Sequence, residues 1–144
     1  MIVESTGIVL HSGSAAGIVE VVLTENSASK AVIGVFSQLQ KGAIIGSSSL
    51  DGHNVAHLDL YRDVCRYNAL GDGTLLVTDS GGDIEVGDYI MSSDRLGHGM
   101  KQSDDILRNY TVAKASQPID FSTVEVDSDL GYKSILIACT YHCG

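Results

Sequence analysis

Short runs of β-branched residues, separated by turns rich in glycine, serine and aspartate, constrain this chain more than any other feature. "GIVEVVL" at 17–23 and "AVIGVFS" at 31–37 are two such runs. Val and Ile favour strands, whereas Gly, Ser and Asp favour tight turns. The chain holds 16 glycines and a single proline in 144 residues, which fits many strands better than long helices. The pattern therefore predicts an all-β fold.

The spacing of these runs predicts one domain, residues 1–144, of about nine to eleven short strands that closes as a single compact β-barrel or β-sandwich. The predicted strands cover 7–10, 18–23, 31–37, 74–78, 83–86, 88–92, 110–115, 120–127 and 133–141. Residues 56–67 fit both a helical and an alternating pattern, and we favour a strand because the neighbouring runs are β. "SDDILRN" at 103–109 predicts one helical turn with Ser103 as its cap.

The charge of the chain argues against two classes of partner, and its cysteine content indicates the compartment in which it is made. The formal net charge is −9, and an acidic surface repels phosphate groups, so we expect no nucleic acid and no membrane as partners. No apolar run approaches the length of a membrane span, and residues 1–10 lack the basic start of a secretory signal. Three cysteines, an odd number, argue against a paired disulfide framework and for synthesis in a reducing cytoplasm.

Two groups of side chains resemble metal ligands but do not complete a site. His53 and His57 have the spacing of two ligands on one helical face, with Asp59 and Asp63 nearby. Asn54, however, stands where the H-E-x-x-H motif has its glutamate. The second group is Cys139, His142 and Cys143, and on a strand the histidine would point away from both cysteines. We therefore expect no metal and no cofactor.

The acidic stretch that begins at Asp83 and Glu85 is a candidate calcium loop. Calcium loops place carboxylates at alternate positions and close with a bidentate glutamate, whereas here Gly87 follows. Asp and Gly at these positions fit turns, because Asp bonds to nearby backbone and Gly adopts positive φ. The sequence therefore favours turns over a metal site.

The chain offers little for nucleophilic catalysis. No serine lies in a G-x-S-x-G elbow, and His98 has no identifiable orienting acid. Ser-Asp pairs at 93–94, 103–104 and 128–129 fit turns or helix caps better than cleavage sites. We expect no catalytic residues and a protein that is not an enzyme.

The segment 82–115, "GDIEVGDYIMSSDRLGHGMKQSDDILRNYTVAKA", resembles a β module found near the C-terminus of fibre, tail-spike and other appendage proteins of bacteriophages and large algal viruses. The shared pattern is G-D-Y-I-x-S-S, then G-x-G-x-K-Q, then D-D-x-L-x-N-Y-T-V-A-K. Residues 71–82 match more loosely, so that 71–115 is the most characteristic part of the chain. The residues that form this turn and folding signature are Gly87, Asp88, Tyr89, Gly97, Gly99, Asp104, Asp105, Asn109 and Tyr110.

The resemblance implies a structural protein of a virus particle, either a capsid decoration (cement) protein or a small head or tail fibre component. It implies a homo-oligomer, expected to be a trimer, on the virion surface, in contact with the major capsid protein or other virion proteins. By analogy with decoration proteins, residues 1–6 would be an extended arm that joins a neighbouring sheet. Some relatives lie beside autoproteolytic chaperone domains with an Asp-x-x-Glu pair, but Met91 stands three residues after Asp88 here, so self-cleavage is not implied.

Two other functions stay open. A host-surface or glycan-binding module at a fibre tip would use tyrosine rings as stacking platforms, although aromatic residues make up only 6% of the chain. The candidate rings are Tyr61, Tyr67, Tyr89, Tyr110 and Tyr141. The second of these functions is a self-cleaving chaperone domain. An uncut chain by intact-mass spectrometry would leave that function without support.

Overall fold

The computed structural model describes residues 1–12, 17–45 and 60–143, and the all-β prediction is confirmed. About 54% of the described residues lie in strands and about 5% in helices. The strands are β1 (Ile2–Ser12), β2 (Gly17–Leu23), β3 (Val32–Ile45), β4 (Leu60–Asn68), β5 (Leu70–Val77), β6 (Tyr89–Ser92), β7 (Gly99–Lys101), β8 (Thr111–Ala115) and β9 (Ile135–His142). Two short 3₁₀ helices span Asp79–Gly81 and Phe121–Thr123. Within the described ranges, no helix is long and apolar enough to cross a membrane.

The strands form two units with different topologies. The first four make an open sheet in the order β2-β1-β3-β4. The last five make a closed barrel in the order β5-β7-β6-β8-β9. Long antiparallel pairing of β5 with β9, from Leu70↔His142 to Val77↔Ile135, forms one wall of the barrel, and a parallel contact between β5 and β7 closes it.

The hydrophobic core lies inside the barrel. Leu75, Ile90, Val112 and Ile137 are completely buried. Along β9 the burial alternates, so Ile137 and Cys139 point inwards while Leu136 points outwards, as the two-residue period of a strand requires. Burial of each large aliphatic side chain stabilises the fold by roughly 1.5–3 kcal/mol.

One end of the open sheet is fixed to the barrel. Ile2 and Val35 belong to the same hydrophobic cluster as the barrel core. The Ile2 N–H donates to the Gly97 carbonyl at 2.7 Å, and the Gly97 N–H donates to the Thr24 carbonyl at 2.8 Å. The Ser92 hydroxyl donates to the Asn26 carbonyl at 2.8 Å. These bonds hold the near end of the sheet and the β2–β3 turn against the barrel.

The N-terminal arm predicted over residues 1–6 is instead part of a strand of the chain's own sheet. β1 pairs with both β2 and β3, with Val3 opposite Leu23 and Gly34. Ile2 and Val3 are 0% and 3% exposed. These apolar residues are buried against the chain's own barrel and sheet, so they are not free to join another subunit.

The segments between the regular strands depart most from the sequence expectations. The helical turn predicted at 103–109 is wrong, because these residues form bends and a turn. The strand predicted at 83–86 reduces to a single bridge between Ile84 and Ile119. The strand predicted at 120–127 is replaced by the second 3₁₀ helix and one bridge from Val126. The strand interpretation of 56–67 is confirmed from Leu60 onwards.

Candidate functional site

The first turn of the predicted signature directs the chain into β6. Gly87 has φ +98, a left-handed conformation that side chains disfavour, and its N–H donates to the Ala115 carbonyl at 2.8 Å. The Asp88 carboxylate accepts the Glu85 N–H at 2.7 Å and pairs with the Lys101 ammonium at 2.9 Å. Asp88 thus links the turn to β7.

The ionisation of Asp88 follows from these contacts. Burial raises the pKa of Asp88. The hydrogen bonds from Lys101 and from the Glu85 N–H together lower it by more, so that the pKa lies below its ordinary value. The pKa of Lys101 is raised, mainly by the same bond. The groups that keep the carboxylate charged also fix the turn, so Asp88 has a structural role.

A buried polar cluster replaces the predicted helical turn. Gln102 is 2% exposed, and its amide nitrogen donates to the Asp104 carboxylate at 2.6 Å and to the Ile106 carbonyl at 2.7 Å. Its amide oxygen accepts the Thr111 hydroxyl at 2.7 Å. Asp104 also forms an ion pair with Arg108 at 2.8 Å, and hydrogen bonds from Arg108 and Gln102 lower the pKa of Asp104. Side-chain bonds to the backbone compete with helix formation here, which explains the bends.

The remaining signature residues occupy different environments. At Gly99, an added Cβ would lie 2.6 Å from Cγ2 of Ile90, so β6 and β7 approach closely there. The half-buried Tyr89 ring has the Lys114 ammonium 5.9 Å from its centroid. Asp105 and Asn109 are exposed, Tyr110 is half-buried, and Gly97 lies at the junction with the sheet.

The structure brings together a histidine and a serine that the sequence did not connect. His98 Nδ1 lies 2.9 Å from the Leu96 carbonyl, and Nε2 lies 2.7 Å from the Ser134 hydroxyl. A carbonyl only accepts, so neutral His98 carries its proton on Nδ1 and Nε2 accepts the Ser134 O–H. This is the relative arrangement of a general base and a nucleophile. Ser134 is 36 residues away in the chain, so sequence spacing gave no signal of the contact.

The surroundings of the His98–Ser134 pair are those of a structural tie. His98 is 3% exposed, and its ring packs edge-on against Tyr132 at 5.3 Å. The Arg95 guanidinium lies over the ring of the same tyrosine, 4.8 Å from the ring centroid. The pair joins the turn after β6 to the beginning of β9 and leaves little of the imidazole accessible to a substrate.

The C-terminal thiols are protonated groups rather than ready ligands. Burial raises the pKa of Cys139 and of Cys143 to about 11 in each case. Thiolate is the metal-binding and nucleophilic form, and it is scarce at neutral pH when the pKa is so high. His142 stacks edge-on against Tyr89 with ring centroids 6.2 Å apart. Within 1–12, 17–45 and 60–143 no group of three or more His, Cys, Asp or Glu side chains could hold a metal.

Several candidate residues fall outside a site or outside the described chain. His53, His57 and Asp59 lie outside the described residues, as does the side chain of Tyr61. Tyr141 is 5% exposed, and its hydroxyl donates to the Thr74 carbonyl at 2.7 Å, so it is a core residue rather than a sugar platform.

At the end of the sheet far from the barrel, the described side chains of the two central strands are exposed. We call it the outer sheet and define it as residues 6–12 of β1, 17–22 of β2, 37–45 of β3 and 60–67 of β4. All side chains of residues 6–9 and 37–41 are exposed, although β1 and β3 are the central strands. Consecutive strand residues point to opposite faces, so exposure of five in a row means that β3 is exposed on both faces along residues 37–41. The large apolar side chains exposed there are Ile8, Val9, Val22, Leu39 and Tyr67.

Charge is distributed unevenly between the two units. The described sheet segments up to residue 69 contain four acidic and four basic residues, whereas residues 70–143 contain twelve acidic and five basic ones. The barrel also has exposed apolar side chains, but most of them stand in loops on this acidic unit. Electrostatic repulsion between copies therefore opposes contacts between barrels more than contacts between outer sheets.

No protein-family model matches the chain, and no curated protein or solved structure matches it significantly.

Proposed function

We propose that the chain is a non-enzymatic structural protein of a virus particle that assembles with copies of itself. The resemblance of 82–115 to virion appendage modules supports a decoration protein or a small head or tail fibre component. In this proposal the protein is made in the host cytoplasm and lies on the virion surface, against the major capsid protein or another virion protein. The expected homo-oligomer is a trimer.

The exposure of the outer sheet is the main support for the proposed self-assembly. An isolated sheet of a soluble domain buries at least one face, because strands without packing on a hydrophobic face are marginal in water. Here the central strands expose both faces, with Val9 58% and Ile8 52% accessible. Contact with other copies would cover this surface, and the balanced charge of the described sheet segments would not oppose that contact.

The hydrogen-bonded groups of the signature segment support a structural role. Asp88, Gln102 and Asp104 each use their polar atoms to fix turns of the barrel. Groups committed in this way build a rigid module. A module of this kind suits a particle surface, where the barrel could serve as a stable head for the assembling sheet.

Light scattering coupled to size-exclusion chromatography tests self-assembly. We expect a discrete oligomer for the unmodified chain and a smaller species for Leu39→Ser in the outer sheet. Leu136→Ser is the matched control, because Leu136 is similarly exposed but lies on β9 of the acidic barrel. A chain that stays monomeric at high concentration, and that is missing from cryo-EM maps of the purified particle, would contradict the proposal.

Two measurements separate the alternatives. A hydrolase or self-cleaving domain would use Ser134 and His98, so reaction of Ser134 with a fluorophosphonate, or a shortened intact mass, would favour an enzyme. We expect neither. A glycan-binding module would depend on exposed rings such as Tyr67, which is 42% exposed, and would give binding on an array of host polysaccharides that Tyr67→Ala abolishes.

A further inference from the structure

Each of the two edge strands of the open sheet has a single described neighbour. Within the part of the chain that the structure describes, β2 pairs only with β1 and β4 pairs only with β3. The outer edge of each strand therefore presents backbone N–H and C=O groups that no other described strand uses. Such edges bind further strands unless they are short, charged, bulged or covered.

The sequence of β2 does little to prevent pairing. "GIVEVVL" contains four residues of Val and Ile, one charge and no proline or lysine. β4, "LYRDVCRYN", carries two arginines and one aspartate and is therefore net basic. The two edges thus have opposite charge, one from Glu20 and the other from its arginines.

We propose that β2 of one copy pairs with β4 of the next copy, so that the open sheets continue from one subunit to another. The inference rests on the proposed self-assembly and specifies the surface through which it occurs. The partner is a second copy of this chain, and the contact consists of a backbone ladder with Glu20 close to Arg66 of the next copy.

Pairing of each edge with itself places like charges together. In a centred antiparallel pairing of β2 with a second β2, Glu20 lies opposite Glu20, since it is the middle residue of the strand. The same pairing of β4 with itself brings position 62 opposite position 66, and both are arginine. Like charges directly opposite each other destabilise a strand pair.

Pairing of β2 with β4 removes this conflict. When the strand centres coincide, Glu20 lies opposite Val64, and Arg66 is two positions away, within diagonal reach of long side chains. Arg66 is two positions from the residue opposite Glu20 in both parallel and antiparallel pairing, because Val64 is the central residue of β4. Arg66 is exposed and Glu20 is half-buried, so Arg66 is accessible and Glu20 partly so.

The use of two different edges also determines the kind of assembly. A contact between unlike surfaces leaves one free edge at each end, and the assembly becomes finite only when the rotation between copies closes a ring. A closed ring leaves no sheet edge unpaired, which would extend to the whole oligomer the closure that the barrel already has within one chain.

Charge reversal tests the pairing. Glu20→Arg and Arg66→Glu should each raise the dissociation constant of the oligomer, by roughly 3- to 30-fold, because each converts an attractive pair into a repulsive one. The double variant Glu20→Arg/Arg66→Glu should restore the affinity. Glu125→Arg, a reversal at an exposed position of the barrel, is the matched control and should have little effect. Thermal melts of each variant confirm that the barrel is intact.

Cys65 provides a second measurement in the unmodified protein. It lies on β4 next to Val64 and is half-buried in the single chain. We expect its alkylation to slow as the concentration rises and the oligomer forms, while Cys139 remains a slow internal reference.

The outcomes separate this inference from the function on which it rests. An unmodified chain that is always monomeric overturns both. A stable oligomer whose affinity the double variant fails to restore, or whose Cys65 reacts as fast as in the dilute chain, overturns the edge pairing and leaves the structural function standing. Cross-links between two copies of position 20 in a Glu20→Cys variant would likewise overturn it, in favour of pairing of β2 with itself.

Discussion

The two units of this protein use the same kind of strand in opposite ways. In the barrel every strand has a neighbour on both sides, and the interior buries a continuous set of aliphatic side chains. In the outer sheet, β2 and β4 have only one described neighbour each, and the described side chains of the central strands, residues 6–9 and 37–41, are exposed on both faces. β propensity creates strands in both units, whereas closure and burial decide which unit is complete within one chain.

The polar residues of the two units differ in burial and in hydrogen bonding. In the barrel, Gln102, Ser92 and Ser93 are buried and hydrogen-bonded. In the outer sheet the polar side chains of Ser37, Gln38 and Gln40 are exposed. Buried, satisfied polar groups favour one particular arrangement of the chain, because any other arrangement leaves them without partners.

The largest expected effect contrasts two isoleucines. Ile90→Ala removes a fully buried side chain from the barrel core and should lower the free energy of unfolding by about 2–5 kcal/mol. Ile8→Ala in the outer sheet should change it by less than about 0.5 kcal/mol in the dilute chain, since Ile8 is 52% exposed. Urea unfolding measures both. An equally large loss for Ile8→Ala would contradict this difference between the two units, because it would mean that the outer sheet is packed within one chain.

The buried polar cluster should give the next largest effect. Gln102→Leu keeps most of the side-chain volume but leaves the Thr111 hydroxyl and the Ile106 carbonyl without their partner, and we expect a loss of about 1–3 kcal/mol. Ser103→Ala, next to it and exposed, should be neutral, since the predicted helix cap does not exist. If both variants behave alike in chemical denaturation, the cluster is not what fixes the 102–111 segment.

The His98–Ser134 tie is expected to contribute less. Ser134→Ala leaves Nε2 of the buried imidazole without its hydrogen-bond donor and should cost about 1 kcal/mol. Ser134→Thr, which retains the hydroxyl, should recover part of the loss. A stability unchanged in the alanine variant would show that the contact is not maintained in solution.

The smallest effect is a dependence of barrel stability on pH. The pKa values of Asp88 and Asp104 are lowered in the folded chain, so their contribution is complete above the ordinary aspartate pKa of 3.8 and is lost as the pH falls through the folded values. Stability should therefore decline as the pH falls below about 4, and Asp88→Asn should flatten part of that decline. Urea midpoints measured from neutral to acidic pH check this, and a slope that is identical in the variant would exclude Asp88 as a contributor.

Local sequence patterns predicted the regular strands well and the connections poorly. β9 and β8 coincide with runs of β-branched and small residues, because such side chains fit a pleated surface wherever it forms. β7 was missed, since its three residues, Gly99, Met100 and Lys101, have no strand signal of their own. It exists because Gly99 allows the chain to lie close against β6 and beside β5, and the barrel closes there.

The contacts of the candidate residues also divide into those between near neighbours and those between residues distant in the chain. The predicted role of Asp and Gly in turns concerned atoms a few residues apart, and the contacts of Asp88 with Glu85 are of that kind. The His98–Ser134 contact and the burial of Cys139 and Cys143 depend on residues distant in the chain. Spacing along the sequence contains no direct information about such pairs.

The all-β class, the strand-forming runs, the turn chemistry around Gly87 and Asp88, and the acidic charge follow from the amino-acid sequence. Three features follow only from the packing of the folded chain: residues 2–6 belong to the chain's own sheet, β7 closes the barrel, and the first four strands form a sheet in which the described parts of β2 and β4 have one neighbour each. The physical reason is the range of the interactions. Propensity and turn formation act between near neighbours, whereas closure, burial and edge exposure depend on which distant segments meet.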